Sequence, residues 1–199
     1  MALVNRERVL RAATSSFLAH GYRSSVDHIA RRAGVAKQTV YHHFPSKDEL
    51  FKEVARDLAK RVLIELEGGP RSSPQDLRAD LERFAQAYRK RVLGAQGIAT
   101  FRALVPEVPR FRALARAMYA GSAGVLVGRL AEYLNKAMQS GQLRRDDPQL
   151  AAELLLGMLV GQDRIKRLFG VACSAEGDAH RAARIVDCFL RAYAPGAPQ

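Results

Sequence analysis

Apolar residues near the start of the chain recur three or four positions apart, the spacing that places side chains on one face of an α-helix. Val9, Ala13 and Phe17 share such a face and predict a first helix from Arg6 to His20, which Gly21 ends. A second apolar stripe predicts a second helix. Its residues are Val26, Ile29, Ala30 and Ala33.

The next segment is much more polar. Gly34 follows the second stripe and can adopt the positive φ that ends a helix. Between Lys37 and Phe44 the only strongly apolar aliphatic residue is Val40, so this short helix would not persist alone. Val40 and Phe44 must hold it against its neighbours, and Pro45 ends it. The side chains predicted to lie outside are Lys37, Gln38, Thr39, Tyr41, His42 and His43.

A longer helix is predicted directly after this segment. Ser46 and Glu49 have the S-x-x-E spacing of a capping box, which opens a helix at Lys47 that reaches about Glu67. At 1.5 Å per residue its length is about 30 Å, enough to connect the N-terminal unit to the rest of the chain. The stretch GGPRSSP from Gly68 to Pro74 is the clearest break in the sequence.

Five further helices are predicted beyond that break. Their spans are Pro74 to about Leu93, Gln96 to Leu104, about Pro109 to Gln139, Pro148 to Phe169 and Asp178 to Tyr193. No alternating run with turn residues indicates a strand. The prediction is therefore an all-α fold of about nine helices, with a three-helix N-terminal unit joined by a long helix to a C-terminal bundle. The predicted domains are residues 2–62, with a helix-turn-helix motif at 25–44, and residues 68–194.

Composition agrees with a globular chain. The sequence has 199 residues, 48% of them apolar, and a slightly negative mean hydropathy. No apolar run reaches the ~18 residues that would span a bilayer, and the N-terminal residues do not suggest export. A cytoplasmic protein is expected. The two cysteines, Cys173 and Cys188, give neither a disulfide framework nor a metal-binding spacing, so reduced thiols are expected.

Positive charge is concentrated at the N-terminus. The net charge is +12, and residues 1–47 hold eight of the Lys and Arg residues against two acidic residues. Half of the excess charge thus lies in about a quarter of the chain, which is typical of a module that binds a polyanion. A merely basic surface is the alternative. His42 and His43 do not suggest a metal site, because neighbours on a helix point about 100° apart, and no metal or cofactor is expected.

The last two predicted helices are apolar over more than one face. Helices of this kind are buried on more than one side, and the second partner can be the same pair of helices from another subunit. The candidate dimer residues are Leu155, Met158, Leu159, Val186, Phe189 and Leu190. The alternative is that these helices form the centre of a monomeric bundle. Gly157 and Gly161 could allow close approach of two chains at such an interface.

Several large apolar side chains in the second half of the chain are candidates for lining a ligand cavity. They are Phe101, Phe111, Met118, Tyr119 and Met158. For any one of them, a place in an ordinary core is the favoured alternative.

The N-terminal third resembles the TetR/AcrR family of bacterial transcriptional regulators. The residues that carry the resemblance run from about Arg6 to Phe51, and they include Gly21-Tyr22, Ser24-Ser25-Val26, Ile29-Ala30, Ala33-Gly34-Val35, Thr39-Val40-Tyr41, Phe44 and Lys47. Arg102 to Phe111, Gly141 to Leu154 and the LLLGMLVG run look like the AefR-like C-terminal subgroup of that family.

The resemblance implies roles for individual residues. Ser25 would contact a phosphate, and Lys37, Gln38 and Thr39 would face the major groove. Tyr41 and His42 match the phosphate and base-methyl contacts of the motif, with His42 at a position that is often aromatic. Lys47 matches a recurrent phosphate contact. By the same resemblance, the C-terminal bundle would hold a small-molecule cavity and the dimer surface.

The function predicted from the sequence is a homodimeric DNA-binding transcriptional regulator, expected to be a repressor released from operator DNA by an unknown small molecule. Ligand in the larger bundle would move the two reading heads to the wrong separation. The alternative is a sequence-indifferent nucleic-acid packaging protein or a helical adaptor. No H-E-x-x-H, Walker loop, dinucleotide fingerprint or nucleophile elbow is present, so no enzyme activity is expected.

Overall fold

The computed structural model describes residues 2–63, 66, 69, 70, 73–173 and 177–195. Within these residues the chain forms ten α-helices and no strand. The helices are α1 (Ala2–His20), α2 (Val26–Ala33), α3 (Lys37–His43), α4 (Lys47–Leu63), α5 (Pro74–Leu93), α6 (Ala95–Leu104), α7 (Arg112–Gly121), α8 (Ala123–Gln139), α9 (Pro148–Leu168) and α10 (Asp178–Ala192). Short 3-10 helices cover Gly21–Arg23 and Val105–Glu107. The all-α prediction is confirmed.

The chain divides into two compact units. The first contains residues 1–59 and 95–123, and the second contains residues 60–94 and 124–199. The N-terminal helices therefore share a unit with α6 and α7, whereas the sequence placed residues 95–123 in the C-terminal bundle. Pairing of α1 with α6 across some 80 positions of chain is a tertiary contact, which helical periodicity cannot reveal.

The core of the first unit is built from the stripes that the sequence predicts. Its buried side chains are Val9, Ala12, Ala13, Phe17, Val26, Ile29, Ala30, Ala33, Val40, Phe44, Leu50, Phe51 and Val54. The Phe17 and Phe51 rings meet edge to face with centroids 4.6 Å apart. These contacts support α2 and α3 from one side and leave their other sides polar.

Local signals begin and end the N-terminal helices, and those at Gly34 and Ser46 agree with the prediction. Ser25 caps α2, because its hydroxyl accepts a hydrogen bond from the His28 N–H at 3.1 Å. Gly34 ends α2 with φ of +64° and donates its N–H to the Ala30 and Arg31 carbonyls. Ser46 caps α4 by accepting from the Glu49 N–H. The Glu49 carboxylate pairs with Lys52.

The second unit has a larger core around α5, α8, α9 and α10. Leu77, Leu81, Leu130, Leu134 and Leu155 are among its fully buried side chains. Arg89 of α5 is also buried, with 1% of its side chain exposed, and it donates hydrogen bonds to Asp163 at 2.9 Å and Asp178 at 2.7 Å. A buried charge of this kind is tolerated in a core only when carboxylates pair with it.

The predicted single helix from Pro109 to Gln139 is wrong. The chain forms α7 and α8 instead, and Ser122 between them has a non-helical backbone. The Ser122 hydroxyl donates a hydrogen bond to the Met118 carbonyl at 2.6 Å, and the Ser122 N–H donates one to the Tyr119 carbonyl. The flanking residues are Gly and Ala, whose side chains offer little packing to keep the helix continuous. This break accounts for the tenth helix.

Other boundaries differ by a few residues. α1 begins at Ala2 and α9 ends at Leu168, with a kink at Gly161. The structure describes α4 as far as Leu63, and the predicted end near Glu67 lies outside the described residues. Part of the GGPRSSP break also lies outside them, although Ser73 within it caps α5 by accepting from the Asp76 N–H.

Four of the six candidate dimer residues are core residues of the second unit. Leu155, Leu159, Val186 and Phe189 are each at most 1% exposed within the single chain, and Leu190 packs against the same core. A side chain already covered inside its own subunit has no area for a partner to cover. The prediction of a dimer contact through these four side chains is therefore wrong, and Met158 is the one candidate that is well exposed.

Candidate nucleic-acid interface

The short helix α3 is held at its back and open at its front. Val40 is 1% exposed and Phe44 is 3% exposed, so these two residues anchor the helix in the core of the first unit. Lys37, Gln38 and His42 are exposed, and Tyr41 is 41% exposed. Thr39 and His43 are half-buried. The helix thus presents donors, acceptors and rings outward from a rigid apolar support.

Lys37, the first residue of α3, forms an ion pair with Asp27 of α2 at 2.9 Å. Both side chains are about half exposed, so the pair is weak and can exchange for a phosphate. The hydrogen bond to Asp27 and the charge of that carboxylate raise the pKa of Lys37, which therefore stays protonated. The sequence analysis did not identify Asp27 as the partner of Lys37.

Ser25 lies at the exposed N-terminus of α2, where the first backbone N–H groups of a helix favour anions. Its hydroxyl caps the helix and can also donate a hydrogen bond outward. This position is compatible with the phosphate contact that the family resemblance implies.

Lys47 begins α4 and is half-buried. Its ammonium lies 4.2 Å from the centroid of the Tyr22 ring, a cation–π arrangement. Burial lowers the pKa of Lys47, and the nearby Asp48 carboxylate partly offsets this effect. The Tyr22 hydroxyl donates a hydrogen bond to Asp48. Tyr22 therefore orients the cation that was predicted to contact a phosphate.

An apolar cavity of about 310 Å³ lies within the first unit. Four of the five candidate ligand residues line it, namely Phe101, Phe111, Met118 and Tyr119. Tyr22 and Phe51 of the N-terminal helices line it as well, which the sequence analysis missed because the cavity forms only when α6 and α7 pack on those helices. Met158 belongs to the second unit and does not line it.

Two features are absent from the described part of the chain. Among the described residues, no three His, Cys, Asp or Glu side chains are grouped as metal ligands. None of the helices in that part of the chain combines the length and apolar character needed to cross a bilayer.

The short polar helix α3 follows α2 and a tight turn at Gly34, and it packs against an apolar support. This arrangement defines a helix-turn-helix DNA-binding unit. Sequence comparison identifies the family. The family of "bacterial regulatory proteins, tetR family" matches residues 9–54, and the "AefR-like transcriptional repressor, C-terminal domain" matches residues 79–195. The chain belongs to the TetR family of transcriptional regulators, whose members are not enzymes.

Individual relatives agree with this assignment. The chain is 30% identical over 122 residues to the probable acrEF/envCD operon repressor of Escherichia coli K12, and 38% identical over 63 residues to the regulator YhgD of Bacillus subtilis. These matches cover 59% and 31% of this chain, and only 48% and 33% of the two relatives.

Solved structures match along the whole chain. The flavonoid-responsive regulator FrrA is 31% identical, with a TM-score of 0.74, and the match covers 97% of this chain and 98% of FrrA. A TetR-family regulator from Mesorhizobium loti is 26% identical, with a TM-score of 0.76 and 98% of both chains covered.

Proposed function

We propose that this protein represses transcription by binding operator DNA through α3, as a homodimer, and that an apolar aromatic molecule bound in the first-unit cavity releases it. The observation that carries the DNA-binding part is the structure of α3. Val40 is the only buried side chain of this seven-residue helix. Packing within the chain therefore does not account for its polar outer face. That face fits base edges and phosphates in a major groove.

The experiment is a gel-shift titration of the purified protein on its own upstream intergenic DNA, with unrelated duplex of the same length as competitor. Gln38→Ala, which removes an exposed side chain of α3 assigned to the major groove, should reduce the preference for the upstream fragment while the helical circular dichroism signal stays unchanged. Equal affinity of the unaltered protein for both duplexes would contradict the proposal and favour sequence-indifferent packaging.

The dimer is proposed to form through the exposed face of α9. Leu150, Leu154 and Met158 are 43–47% exposed and stand four positions apart, so they form one apolar stripe along the helix. Gly157 is exposed beside this stripe, with open space around its Cβ position. A second copy of α9 would cover this stripe in a two-fold contact, and a dimer can engage two half-sites.

The effector class is proposed from the cavity lining. Five aromatic side chains and Met118 surround the cavity, which suits a flat aromatic compound that can stack on them. FrrA, the flavonoid-responsive relative, is consistent with this class. The ligand would contact Tyr22 directly, and a displaced Tyr22 would no longer orient Lys47. Effector binding and DNA binding would then be coupled within the first unit.

The effector proposal is tested with a panel of flavonoids added to the gel shift and to isothermal titration calorimetry. Tyr119→Ala should weaken binding of the active compound, because Tyr119 lines the cavity yet is exposed enough not to be needed for folding. Phe169→Ala is the matched control, since Phe169 is exposed and does not line the cavity. No release by any flat aromatic compound would contradict the proposal.

A further inference from the structure

A second, strongly basic groove lies between α1 and α2 in the first unit. Its volume is about 380 Å³. The groove is lined by Arg8, Arg11, Ala12, Ser15, Arg31, Arg32, Ala33 and Gly34, and this lining includes no acidic side chain. We call it the arginine groove. Its four guanidinium groups are outside the helix-turn-helix contacts that the family resemblance implies.

The groove follows from the amphipathic pattern of the two helices. Arg8, Arg11 and Ser15 are spaced i, i+3 and i+7 on α1, opposite the face that buries Val9 and Ala13. On α2 the stripe from Val26 to Ala33 is buried, which leaves Arg31 and Arg32 exposed. Packing the two apolar faces together brings the two arginine pairs to the same groove.

No carboxylate among the described residues pairs with the arginines of this groove. Arg6 and Arg56 share the carboxylate of Glu53, at 2.8 Å and 3.2 Å. Among the described residues, by contrast, Arg11, Arg31 and Arg32 form no ion pair. Four like charges lining one concave surface repel each other and raise the local concentration of anions.

The groove is continuous with the helix-turn-helix. Arg8 donates a hydrogen bond from its guanidinium to the Gly34 carbonyl at 3.5 Å, and Gly34 ends α2. The recognition helix α3 begins three residues later at Lys37. A duplex read by α3 would therefore have its backbone near the Gly34 end of the groove.

We propose that the arginine groove binds phosphates of duplex DNA that flank the bases read by α3. This inference rests on the proposed DNA-binding function. Guanidinium groups form bidentate hydrogen bonds with phosphate oxygens, and backbone contacts of this kind add affinity without reading sequence. The groove thus increases the affinity for DNA, and α3 determines which DNA is chosen.

The test compares Arg11→Ala/Arg32→Ala with a control of equal charge, Arg129→Ala/Arg145→Ala, whose side chains are exposed in the second unit. Dissociation constants for the upstream fragment and for unrelated duplex are measured over a series of KCl concentrations. Each phosphate contact contributes about 0.9 to the slope of log K against log salt, so the groove variant should lose about 2 in slope. Its preference for the upstream fragment should not change, and the control should keep the original slope.

A slope equal to that of the control would overturn the proposal, and so would a lost sequence preference with an intact circular dichroism spectrum. These outcomes leave the proposed function standing if the unaltered protein still prefers its upstream DNA. Failure of the unaltered protein to bind DNA would instead refute the proposed function.

A phosphate-binding groove could accept either DNA or a small phosphorylated molecule, and a second experiment distinguishes these two ligands. Removing base pairs that flank the bases read by α3 should weaken binding of the unaltered protein but not of the groove variant. Pyrophosphate is titrated by calorimetry as the free-anion probe. Saturable pyrophosphate binding that the groove variant loses, together with an unchanged salt slope, would assign the groove to a small anion and overturn its assignment to DNA.

Discussion

The ammonium of Lys47 lies 4.2 Å from the centre of the Tyr22 ring, and Tyr22 in turn donates a hydrogen bond to Asp48, the next residue of α4. The same ring lines the apolar cavity and lies 5.2 Å from the Phe111 ring. The Tyr22 side chain therefore lines the proposed effector site and also contacts Lys47, the residue proposed to bind a phosphate. The proposed coupling would therefore act within the first unit.

Lys47→Ala should weaken binding to all duplexes, because a phosphate contact carries no sequence information. The slope of log K against log salt should fall by about 1. Gel shifts at several KCl concentrations measure this slope. Lys136→Ala, which removes an exposed charge in the second unit, is the control. A Lys47 variant with an unchanged slope would show that Lys47 is only a partner of Tyr22.

Adjacent residues of α3 should give opposite results. Tyr41→Ala removes a side chain that is 41% exposed, so the free energy of unfolding should change by less than about 0.5 kcal/mol while operator binding is lost. Val40→Ala removes buried methyl groups from a side chain that is 1% exposed and should cost about 1–3 kcal/mol. Urea denaturation and gel shifts together measure both effects. A stable Val40 variant would contradict the proposed support of α3.

Leu154 and Leu155 separate the proposed dimer surface from the core. Leu154 is 46% exposed and Leu155 is fully buried. Leu154→Glu should convert the dimer to a folded monomer, because a charge cannot be buried unpaired at a subunit contact. Leu155→Ala should lower the free energy of unfolding by about 2–5 kcal/mol. Light scattering after size exclusion measures the first effect, and a dimeric Leu154→Glu protein would refute the α9 interface.

Arg89 should be a large stabilising residue of the second unit. Its guanidinium is buried and pairs with Asp163 and Asp178. Arg89→Ala removes one of the two cations that pair with the buried Asp163 carboxylate, Arg181 being the other, and removes the donor to the Leu159 carbonyl. It should cost about 3 kcal/mol of unfolding free energy. Arg129→Ala breaks an exposed pair with Glu132 and should cost less than about 1 kcal/mol. Similar denaturation midpoints for the two variants would contradict this difference.

Glu53 should make the stability of the protein depend on acid pH. The hydrogen bond from Arg6 lowers the pKa of Glu53, and Arg56 adds to the effect against partial burial. A carboxyl with a lowered folded pKa stabilises the fold above its unfolded pKa of about 4.3, and this contribution is lost as pH falls through the folded pKa.

Glu53→Gln tests that dependence. The variant should be less stable than the unaltered protein at pH 7, by up to about 1 kcal/mol, and the difference should shrink below about pH 4. Urea denaturation at pH 7, 5 and 3.5 measures it. A difference that stays constant over this range would show that Glu53 acts through packing and not through its charge.

The elements that the sequence predicted well are those with local causes. Gly34 and Ser46 act on helix ends through hydrogen bonds to their near neighbours, so their roles could be inferred from the order of residues. The break at Ser122 was missed because no Pro interrupts the helical spacing there, and the small residues around it only remove a reason for the helix to continue.

What the sequence alone determined was the class of the protein: a basic N-terminal helix-turn-helix, an all-helical chain, and four of the six side chains predicted to lie outside on α3, because Thr39 and His43 are half-buried. Each depends on periodicity or on short-range chemistry. The tertiary structure alone decided which apolar residues of α9 face the core, that α6 and α7 join the N-terminal unit, and that Tyr22 lies between Lys47 and the cavity. These depend on which faces pack across long stretches of chain, and a helix that is apolar on two sides does not record which side is covered.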